Sequence, residues 1–320
     1  MSPSVSPLPT GPLTSDTTQI RILWATEGWE LARQLVIERL PSWARLQVLN
    51  PSRPLVEQVK NIHVIIPITC PRIPDEVVHN APKLRLINQP GAGYGNVPVE
   101  VAKDCSIAVC NLPGVNATTV AESTIMMLLM LARRVPETLA TFQCRQMGGP
   151  LGMQLRGKTL GIIGMGAIGK EVARIAGGLG MHVLAVNSRS STDELDALLQ
   201  ESHAISLHCP HTPATAGLIG ERAFRLMRPG AILLNFARGE IIDKKALISA
   251  LDRKQLWGVG LDAHWVEPAD PSDPVYHYHN VIATPHAGAG SQEVFEAMAD
   301  TTVDNIVRLK EGRPLLNRIV

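Results

Sequence analysis

The sequence lacks the features that mark nucleic-acid-binding and membrane proteins. Its 320 residues carry a formal net charge of only +1, and aromatic residues make up 4%. Without a broad basic surface or an aromatic face that stacks on bases, no nucleic acid is expected as a partner. The longest apolar run, 125–132, is far shorter than the about 20 residues that cross a bilayer, so no membrane association is expected.

Cysteine is scarce, and its pattern argues against a disulfide framework or a zinc site. The five cysteines are odd in number and no two are spaced as CxxC, which indicates a reducing compartment. The histidines of YHYHN (276–280) alternate, but nothing nearby completes a set of metal ligands. We therefore predict that the protein binds no metal.

The first eighteen residues, MSPSVSPLPTGPLTSDTT, contain almost no large apolar side chains. Such a segment buries too little surface to order itself, so a disordered tail is expected over 1–18. It has neither the basic start nor the apolar core of a secretory signal, and its lack of arginine argues against a transit peptide. A cytoplasmic location is expected.

From residue 19 onward, short apolar strands alternate with helical stretches. This pattern indicates parallel sheets covered by helices on both faces. The predicted fold class is α/β, with two doubly wound parallel-sheet domains formed by 19–115 together with 291–320, and by 116–290. Strands are predicted at 20–25, 45–49, 63–68, 84–88 and 107–112, and then at 159–166, 182–187, 204–209, 231–237, 257–263 and 281–285.

The second domain opens with a GxGxxG pattern in TLGIIGMGAIGKEVAR. The pattern follows an apolar strand, starts an amphipathic helix and precedes another strand, as a dinucleotide-binding turn requires. Gly164 permits the tight turn, Gly166 lets backbone N–H groups approach a pyrophosphate, and Gly169 lets helix and strand pack closely. A purely structural glycine turn is the alternative. The predicted contacts of this turn are Gly164, Gly166, Ala167, Ile168 and Gly169.

The end of the next strand predicts which nicotinamide cofactor is used. NAD-binding proteins usually carry Asp or Glu there, which accepts hydrogen bonds from the ribose hydroxyls. This chain has Asn187, Ser188 and Arg189 instead. No carboxylate repels a 2′-phosphate, and the Arg189 guanidinium could bind one through paired hydrogen bonds. We predict NADP(H) as the preferred cofactor. The alternative is that Arg189 is a solvated loop residue and that the enzyme takes either NADP(H) or NAD(H).

Three chemically active residues each follow a predicted strand. LLNFARGEIID ends its apolar run in Arg238, GLDAHWVEP contains Glu267, and ATPHAGAGS contains His286. Ligands bind at the carboxyl ends of parallel strands, so these residues predict chemistry on an anionic carbonyl compound. Arg238 would bind the carboxylate of a 2-oxoacid and polarise its carbonyl group. A surface ion pair plus a histidine bonded to backbone is the alternative.

His286 would act as general acid toward the developing alkoxide, and as base in the reverse reaction. Glu267 beside it would favour the imidazolium, so that the proton is available near neutral pH. Losing the general acid should lower the rate by a factor on the order of a hundred or more.

At this point the sequence resembles the D-isomer-specific 2-hydroxyacid dehydrogenase family. The resemblance extends in detail from about residue 84 to the C-terminus. It implies a flavodoxin-like substrate domain and a Rossmann cofactor domain with an interdomain cleft, a homodimer, and Arg238, Glu267 and His286 as the catalytic set. The motifs that carry it are GAGYGNV, PGVNATTVAE, GKTLGIIGMGAIGKEVAR, HCPHTPATAGLI, LMRPGAILLNFARGEIIDKKALISAL, GLDAHWVEP and NVIATPHAGAGS.

The resemblance also implies further site residues. Backbone N–H groups of Ala92 and Gly93 would hold the substrate carboxylate, Asn116 would reach the substrate, and Asp262 would face the nicotinamide carboxamide. The remaining cofactor contacts implied are Cys209, Pro210 and Ala237.

The chain departs from the family pattern at two places. Gly95 stands where many relatives have Asp, and the short strand and loop that relatives carry between Arg189 and the next helix are missing. Glu267 agrees with the family and separates this chain from the formate dehydrogenases, which carry Gln there.

We therefore expect an NAD(P)H-dependent reductase of small 2-oxoacids such as glyoxylate or hydroxypyruvate. One alternative is 3-phosphoglycerate dehydrogenase, which would require additional basic residues for the substrate phosphate. The other is a nucleotide-sensing corepressor of the same fold, which would bind partner peptides and turn over slowly if at all.

Overall fold

The computed structural model describes residues 19–26, 28–68 and 73–320. The tail predicted at 1–18 lies outside the described residues. The chain forms two compact units: the residues up to Asn116 together with Ser291–Val320, and Ala117–Gly290. These limits lie within one residue of the domain limits expected from the sequence. That one unit binds substrate and the other binds cofactor stays a prediction.

The first unit contains a parallel five-stranded sheet. Its strand order is β2-β1-β3-β4-β5, which is the flavodoxin-like order. The strands are β1 (Ile20–Trp24), β2 (Ala44–Val48), β3 (Val64–Ile66), β4 (Leu86–Asn88) and β5 (Ala108–Cys110). The helices are α1 (Glu30–Arg39), α2 (Leu55–Gln58), α3 (Asp75–His79), α4 (Val99–Asp104) and the last helix, α11 (Gln292–Glu311).

The continuous apolar strands of this unit supply two cores, one on each face of the sheet. Successive side chains of a strand point to opposite faces. In β1, Ile22 and Trp24 therefore pack into one core and Leu23 into the other. α11 covers the first of these cores with Met298 and Ile306.

The second unit contains a parallel six-stranded sheet with the order β11-β10-β9-β8-β6-β7. The strands are β6 (Thr159–Ile163), β7 (His182–Val186), β8 (Ala204–Leu207), β9 (Ala231–Asn235), β10 (Leu256–Leu261) and β11 (Val281–Ala283). The helices are α5 (Ala117–Ala132), α6 (Val135–Gln143), α7 (Ala167–Gly178), α8 (Thr192–Glu201), α9 (Glu221–Leu226) and α10 (Lys244–Asp252), with 3₁₀ turns at Gly239–Ile241 and Pro274–His277.

Two parallel-sheet α/β domains confirm the predicted fold class. Each sheet has helices on both faces, and each strand predicted from the sequence is present within a few residues of its expected limits. Of the helices in the described part of the chain, none is long and apolar enough to cross a membrane.

Strand β7 forms one edge of the second sheet, in agreement with the short connection between Arg189 and the next helix in the sequence. Residues 187–191 lead from β7 directly into α8, and within the described residues no strand pairs with the outer edge of β7. The sheet therefore ends where the residues expected to select the cofactor begin.

Candidate active site

Arg238 follows a buried strand but is itself exposed. All five residues of β9 are buried, and the amide of Asn235 fixes the turn that follows. Asn235 Nδ2 donates to the carbonyl oxygen of Arg238 at 2.8 Å, and its Oδ1 accepts from the Ala237 N–H at 3.0 Å. Nη1 of Arg238 donates to the Ala237 carbonyl oxygen at 2.6 Å. Within the described part of the chain Arg238 forms no ion pair, so its charge is available to an anion.

Gly239 explains why Arg238 has small neighbours. A Cβ atom at Gly239 would lie 2.2 Å from the carbonyl carbon and 2.4 Å from the carbonyl oxygen of His264. Only glycine therefore lets the loop after β9 pack this closely against the loop after β10. This packing brings Arg238 close enough to Glu267 for their charges to interact.

Glu267 and His286 form a hydrogen-bonded pair. His286 Nδ1 lies 2.8 Å from Oε1 and 2.9 Å from Oε2 of Glu267, and the two side chains are 28% and 17% exposed. A carboxylate only accepts hydrogen bonds, so Nδ1 donates the proton it carries and Nε2 is left for another partner.

The surroundings of Glu267 favour its ionised form. Burial would raise the pKa of the carboxyl group, but the hydrogen bond and charge of His286 oppose that effect. The backbone N–H of His264, which donates to Oε1 at 3.1 Å, and the charge of Arg238 also lower it. The net result is a pKa below the ordinary value of 4.5, so the group is a carboxylate near neutral pH.

The backbone of His286 is left-handed, with φ of +53°. A residue with a Cβ atom adopts this conformation at a cost of roughly 1–2 kcal/mol, so the surrounding structure must impose it. The His286 N–H donates to the carbonyl oxygen of Thr284 at 2.8 Å, which closes a short turn through Pro285. Strain of this kind concentrates at functional positions.

Asp262 holds the segment that carries His286. Its carboxylate is buried and accepts three hydrogen bonds from that segment. Oδ1 accepts from Thr284 Oγ1 at 2.6 Å and from the Ala287 N–H at 2.9 Å, and Oδ2 accepts from the Gly288 N–H at 3.0 Å. A carboxylate has about four acceptor positions. Oδ2 therefore retains capacity for one more donor, such as a carboxamide.

The GxGxxG turn fits a dinucleotide. A Cβ atom at Gly164, where φ is +107°, would lie 2.5 Å from the backbone N of Cys209, and one at Gly169 would lie 2.1 Å from the Gly164 carbonyl oxygen. Gly166 has nothing within 4 Å of its Cβ position. Two glycines therefore close the turn, and the third leaves space above it.

The start of α7 is open to an anion. Gly166 caps the helix without a side-chain hydrogen bond, so the first N–H groups, including those of Ala167 and Ile168, face the space above the turn. Cys209 is adjacent because its backbone packs against Gly164, and Pro210 follows it. These features match a pyrophosphate held at a helix N-terminus.

The residues expected to select the cofactor are exposed, and within the described residues their hydrogen bonds stay inside the segment 187–190. Asn187 Oδ1 accepts from the Arg189 N–H at 2.9 Å, and the Asn187 carbonyl oxygen accepts from the Ser190 N–H at 3.0 Å. Asn187, Ser188 and Arg189 are all exposed. The nearby carboxylate of Glu194 already accepts the Ser191 N–H at 2.6 Å in the capping box of α8.

Residues 125–288 match the family described as D-isomer specific 2-hydroxyacid dehydrogenase, NAD binding domain. The chain is 38% identical over 274 residues to a glyoxylate reductase of Korarchaeum cryptofilum, a match that covers 81% of this chain and 82% of that protein. The chain belongs to the D-isomer-specific 2-hydroxyacid dehydrogenases. It is an NAD(P)-dependent oxidoreductase, as the sequence motifs predicted.

Two further relatives extend the comparison of this dehydrogenase. The crystal structure of the TT0316 protein from Thermus thermophilus superimposes with a TM-score of 0.85 at 35% identity, covering 94% of this chain and 100% of that one. A D-3-phosphoglycerate dehydrogenase of Archaeoglobus fulgidus is 32% identical over 277 residues, which are 83% of this chain and 53% of that protein.

The substrate-binding residues implied for this dehydrogenase in its first unit lie near the carboxyl ends of strands. Ala92 and Gly93 follow β4, and within the described residues their N–H groups donate no hydrogen bond. Asn111 Nδ2 donates to the Ala92 carbonyl oxygen at 2.9 Å and so fixes the loop. Asn116 is the last residue of this segment of the unit, and its side-chain Oδ1 accepts no hydrogen bond in the described part of the chain. Their contacts with substrate stay a prediction.

Sequence reasoning missed three residues that shape the site of the dehydrogenase: Asn235, His264 and Thr284. Each orients Arg238, Glu267 or His286 through hydrogen bonds to backbone or carboxylate. A buried amide in the apolar run LLNFA and a histidine in GLDAHWVEP were the available signals. Neither indicates a partner, because the partner comes from another loop.

Other candidate sites in this dehydrogenase hold no cluster of ligands. Where the structure describes the chain, no group of three or more His, Cys, Asp and Glu side chains could hold a metal ion. Cys105, Cys110, Cys144 and Cys209 are free thiols, and Cys70 lies outside the described residues.

Proposed function

We propose that this chain reduces a small 2-oxoacid, of the glyoxylate or hydroxypyruvate type, to the D-2-hydroxyacid, with NADPH preferred over NADH. The observation that carries the proposal is the Glu267–His286 pair with the exposed guanidinium of Arg238 beside it. A fixed cation and a proton donor are what the reduction of an anionic ketone requires. The Korarchaeum relative is a glyoxylate reductase, which supports the substrate class.

Each of the three residues has a distinct part in the reaction. Arg238 binds the substrate carboxylate and polarises the carbonyl oxygen. His286 donates the proton on Nε2 to the oxygen as negative charge develops there, because Nδ1 is committed to Glu267. Glu267 stays ionised and stabilises the imidazolium before the transfer. In the oxidation direction, Nε2 takes the proton back.

The cofactor would supply the hydride from the side of the GxGxxG turn. N–H groups at the start of α7 would hold its pyrophosphate, and Asp262 Oδ2 would accept the nicotinamide carboxamide. The buried Ala237 lies between β9 and Arg238, where a small side chain leaves room for a ring. Arg189 would pair with a 2′-phosphate, because its guanidinium has no carboxylate partner among the described residues.

The first unit also contains residues proposed to bind the substrate. The N–H groups of Ala92 and Gly93 carry no other hydrogen bond within the described residues and are suited to an anion. Asn116 would add an amide contact to the substrate. A phosphorylated 2-oxoacid is a second candidate substrate, because the Archaeoglobus relative is named a D-3-phosphoglycerate dehydrogenase.

The test is a panel of reductase assays that follow the absorbance of the reduced nicotinamide. NADPH and NADH are each combined with glyoxylate, hydroxypyruvate, pyruvate, a phosphorylated 2-oxoacid and bulkier 2-oxoacids. We expect the highest kcat/KM with NADPH and a small unphosphorylated 2-oxoacid. A phosphorylated substrate that is turned over best would favour the second candidate. Absence of turnover with every pair, while cofactor still binds, would contradict a reductase and favour a nucleotide-sensing protein.

We also propose a homodimer formed through an exposed apolar surface on the second unit. Leu139 is 56% exposed, Phe142 79% and Leu151 88%, although side chains of this kind are usually buried. Large apolar side chains that remain exposed mark association surfaces, and the resemblance implies a second copy as the occupant. Sedimentation should show a dimer that Phe142→Glu converts to monomer. A wild-type monomer at micromolar concentration would contradict this.

A further inference from the structure

A second histidine, His264, connects the proposed proton donor, His286, with its carboxylate partner, Glu267, and has no part in the proposed reaction steps. It is 5% exposed, and its ring forms two hydrogen bonds. Nε2 lies 2.8 Å from the carbonyl oxygen of Thr284, and Nδ1 lies 2.8 Å from the hydroxyl of Tyr276. The rings of His264 and Tyr276 meet edge to face, with centroids 5.4 Å apart and planes at 78°.

We propose that His264, oriented by Tyr276, is a positioning residue that sets the geometry of the Glu267–His286 pair. The inference rests on the proposed function, since it assigns a role within that site. Neither His264 nor Tyr276 need touch substrate for this role.

The hydrogen-bond partners of the His264 ring show which nitrogen carries the proton in its neutral form. A carbonyl oxygen only accepts, so Nε2 carries a proton and donates it to Thr284. In the neutral ring Nδ1 is then an acceptor, and the Tyr276 hydroxyl donates to it. Burial, aided by the negative charges of Asp273 and Glu267, raises the pKa of Tyr276 to about 12, so this donor keeps its proton.

His264 reaches both members of the pair through short paths. Its backbone N–H donates to Glu267 Oε1 at 3.1 Å, which gives the carboxylate a second donor besides His286. Its ring donates to the Thr284 carbonyl oxygen, and that same oxygen accepts the His286 N–H at 2.8 Å. One residue therefore aligns the carboxylate directly and the imidazole through the turn that carries it.

Because the backbone of His286 is left-handed, the position of this residue depends on the interactions that hold its turn. With φ of +53°, His286 tends to relax toward ordinary conformations unless its turn is held. Thr284 is held by His264 at its carbonyl oxygen and by Asp262 at its hydroxyl. Loss of the hydrogen bond from His264 removes one of these two interactions. Small displacements of a proton donor reduce the rate of transfer more than they reduce binding.

The tyrosine of this arrangement belongs to YHYHN, and the same motif provides a control. Tyr276 lies in the 3₁₀ turn Pro274–His277 and bonds to His264. Tyr278, two residues on, donates instead to Asp252 at 2.6 Å, at the end of α10. The same Tyr→Phe change can therefore be made inside and outside the arrangement.

The experiment measures kcat, KM and their pH profiles for Tyr276→Phe, His264→Phe, His264→Gln and Tyr278→Phe in the full chain. We expect Tyr276→Phe to lower kcat roughly fivefold to tenfold and His264→Phe about 10- to 100-fold, with KM within about twofold. The pH at which kcat declines on the alkaline side should move to lower pH in both. His264→Gln, whose Nε2 can still donate to Thr284, should recover much of the loss. Tyr278→Phe should match the wild type.

Two results would overturn the inference. One is a wild-type kcat and pH profile in both Tyr276→Phe and His264→Phe. The other is a loss confined to KM or to thermal stability, which would show a merely structural role. Nitrogen NMR of the histidine rings separates this from failure of the proposed function, because it needs no turnover. A wild-type His264 that is not protonated on Nε2 alone would refute the positioning arrangement even in an active enzyme.

Discussion

In the second unit, the loops that follow β9, β10 and β11 are held by different interactions from the loops that follow β6, β7 and β8. At the end that carries the proposed catalytic residues, here called the catalytic end, side-chain hydrogen bonds of partly or fully buried groups join the loops after β9, β10 and β11. At the end proposed to bind the cofactor, here called the cofactor end, the loops after β6, β7 and β8 rely on glycine and backbone. Within the described residues, the segment 187–191 is hydrogen-bonded only within itself and to the start of α8.

The difference shows which property each end must keep fixed. The rate of proton transfer changes when the donor and acceptor are displaced by a few tenths of an ångström. The catalytic end therefore holds each group by several hydrogen bonds. Selection between NADPH and NADH depends on which charges are present, and exposed side chains on a short loop are sufficient for it. Substitutions within the catalytic end should therefore be strongly coupled to one another, whereas a substitution at the catalytic end and one at 187–191 should be nearly additive.

The largest expected effect is at the catalytic end. His286→Ala should lower kcat by a factor of about 10² to 10⁴, because the general acid is lost, while cofactor affinity measured by nicotinamide fluorescence stays the same. His277→Ala, at an exposed position whose ring bonds only to the Pro271 carbonyl oxygen, is the control. Turnover retained in His286→Ala would show that another group supplies the proton.

The second-largest expected effect is a loss of stability in acid, which arises at the cofactor end. Burial lowers the pKa of His208, beside the glycine turn, from 6.5 to about 4, and its Nδ1 is buried without a partner in the described part of the chain. The unfolded state takes up a proton below pH 6.5 and the folded state resists until about 4. The contribution of neutral His208 to the free energy of unfolding is therefore fully present above pH 6.5. It is lost as the pH falls from 6.5 to about 4, by roughly 3 kcal/mol in total.

The measurement for His208 is the free energy of unfolding in urea across this pH range. His208→Gln should have a flatter dependence than the wild type, and His277→Gln should follow the wild type. Parallel curves for His208→Gln and wild type would contradict the assignment.

A pair of glycine substitutions tests the turn at the cofactor end. Gly164→Ala should lower the free energy of unfolding by about 2 kcal/mol, because its φ is +107° and the added Cβ would lie 2.5 Å from the Cys209 N. Gly166→Ala should change it by less than about 1 kcal/mol, because its Cβ has open space. The same Gly166→Ala variant should weaken cofactor binding, since the methyl group enters the proposed pyrophosphate position. Equal stabilities for the two variants would show that the turn is not as tight as described.

The smallest expected effect is at 187–191. Arg189→Asp should change the ratio of kcat/KM for NADPH and NADH by about tenfold or more in favour of NADH, through loss of a cation and gain of a carboxylate. Arg222→Asp, which removes an exposed guanidinium paired with Asp196 elsewhere, is the matched control. A ratio unchanged in Arg189→Asp, or NADH preferred by the wild type, would refute the cofactor assignment.

The elements of the fold were predictable because their signals are local. Apolar runs such as AILLN (231–235) and the GxGxxG turn identify strands and the cofactor turn within a single segment. The parallel pairing of the strands followed from their alternation with helices. The missing strand after β7 was visible as a shortened connection between Arg189 and α8.

The details that depend on contacts between distant loops were not predictable. Nothing near Gly239 in sequence shows that the His264 backbone will press against it. His286 adopts a left-handed backbone conformation although it is neither glycine nor asparagine, so its residue type does not indicate this conformation. His264 could be recognised as a histidine in a strand-end loop, but its partners Tyr276 and Thr284 come from later segments.

The hydrogen bond between Arg238 and the preceding residue, Ala237, also affects the side-chain entropy of Arg238. Because Nη1 already donates to the Ala237 carbonyl oxygen, the long side chain is restricted to few rotamers before any ligand arrives. A guanidinium has five N–H donors, so four remain for a bidentate grip on a carboxylate. The conformational entropy normally lost when an arginine is immobilised, up to about 1.5 kcal/mol, would thus be largely absent when Arg238 binds the proposed substrate.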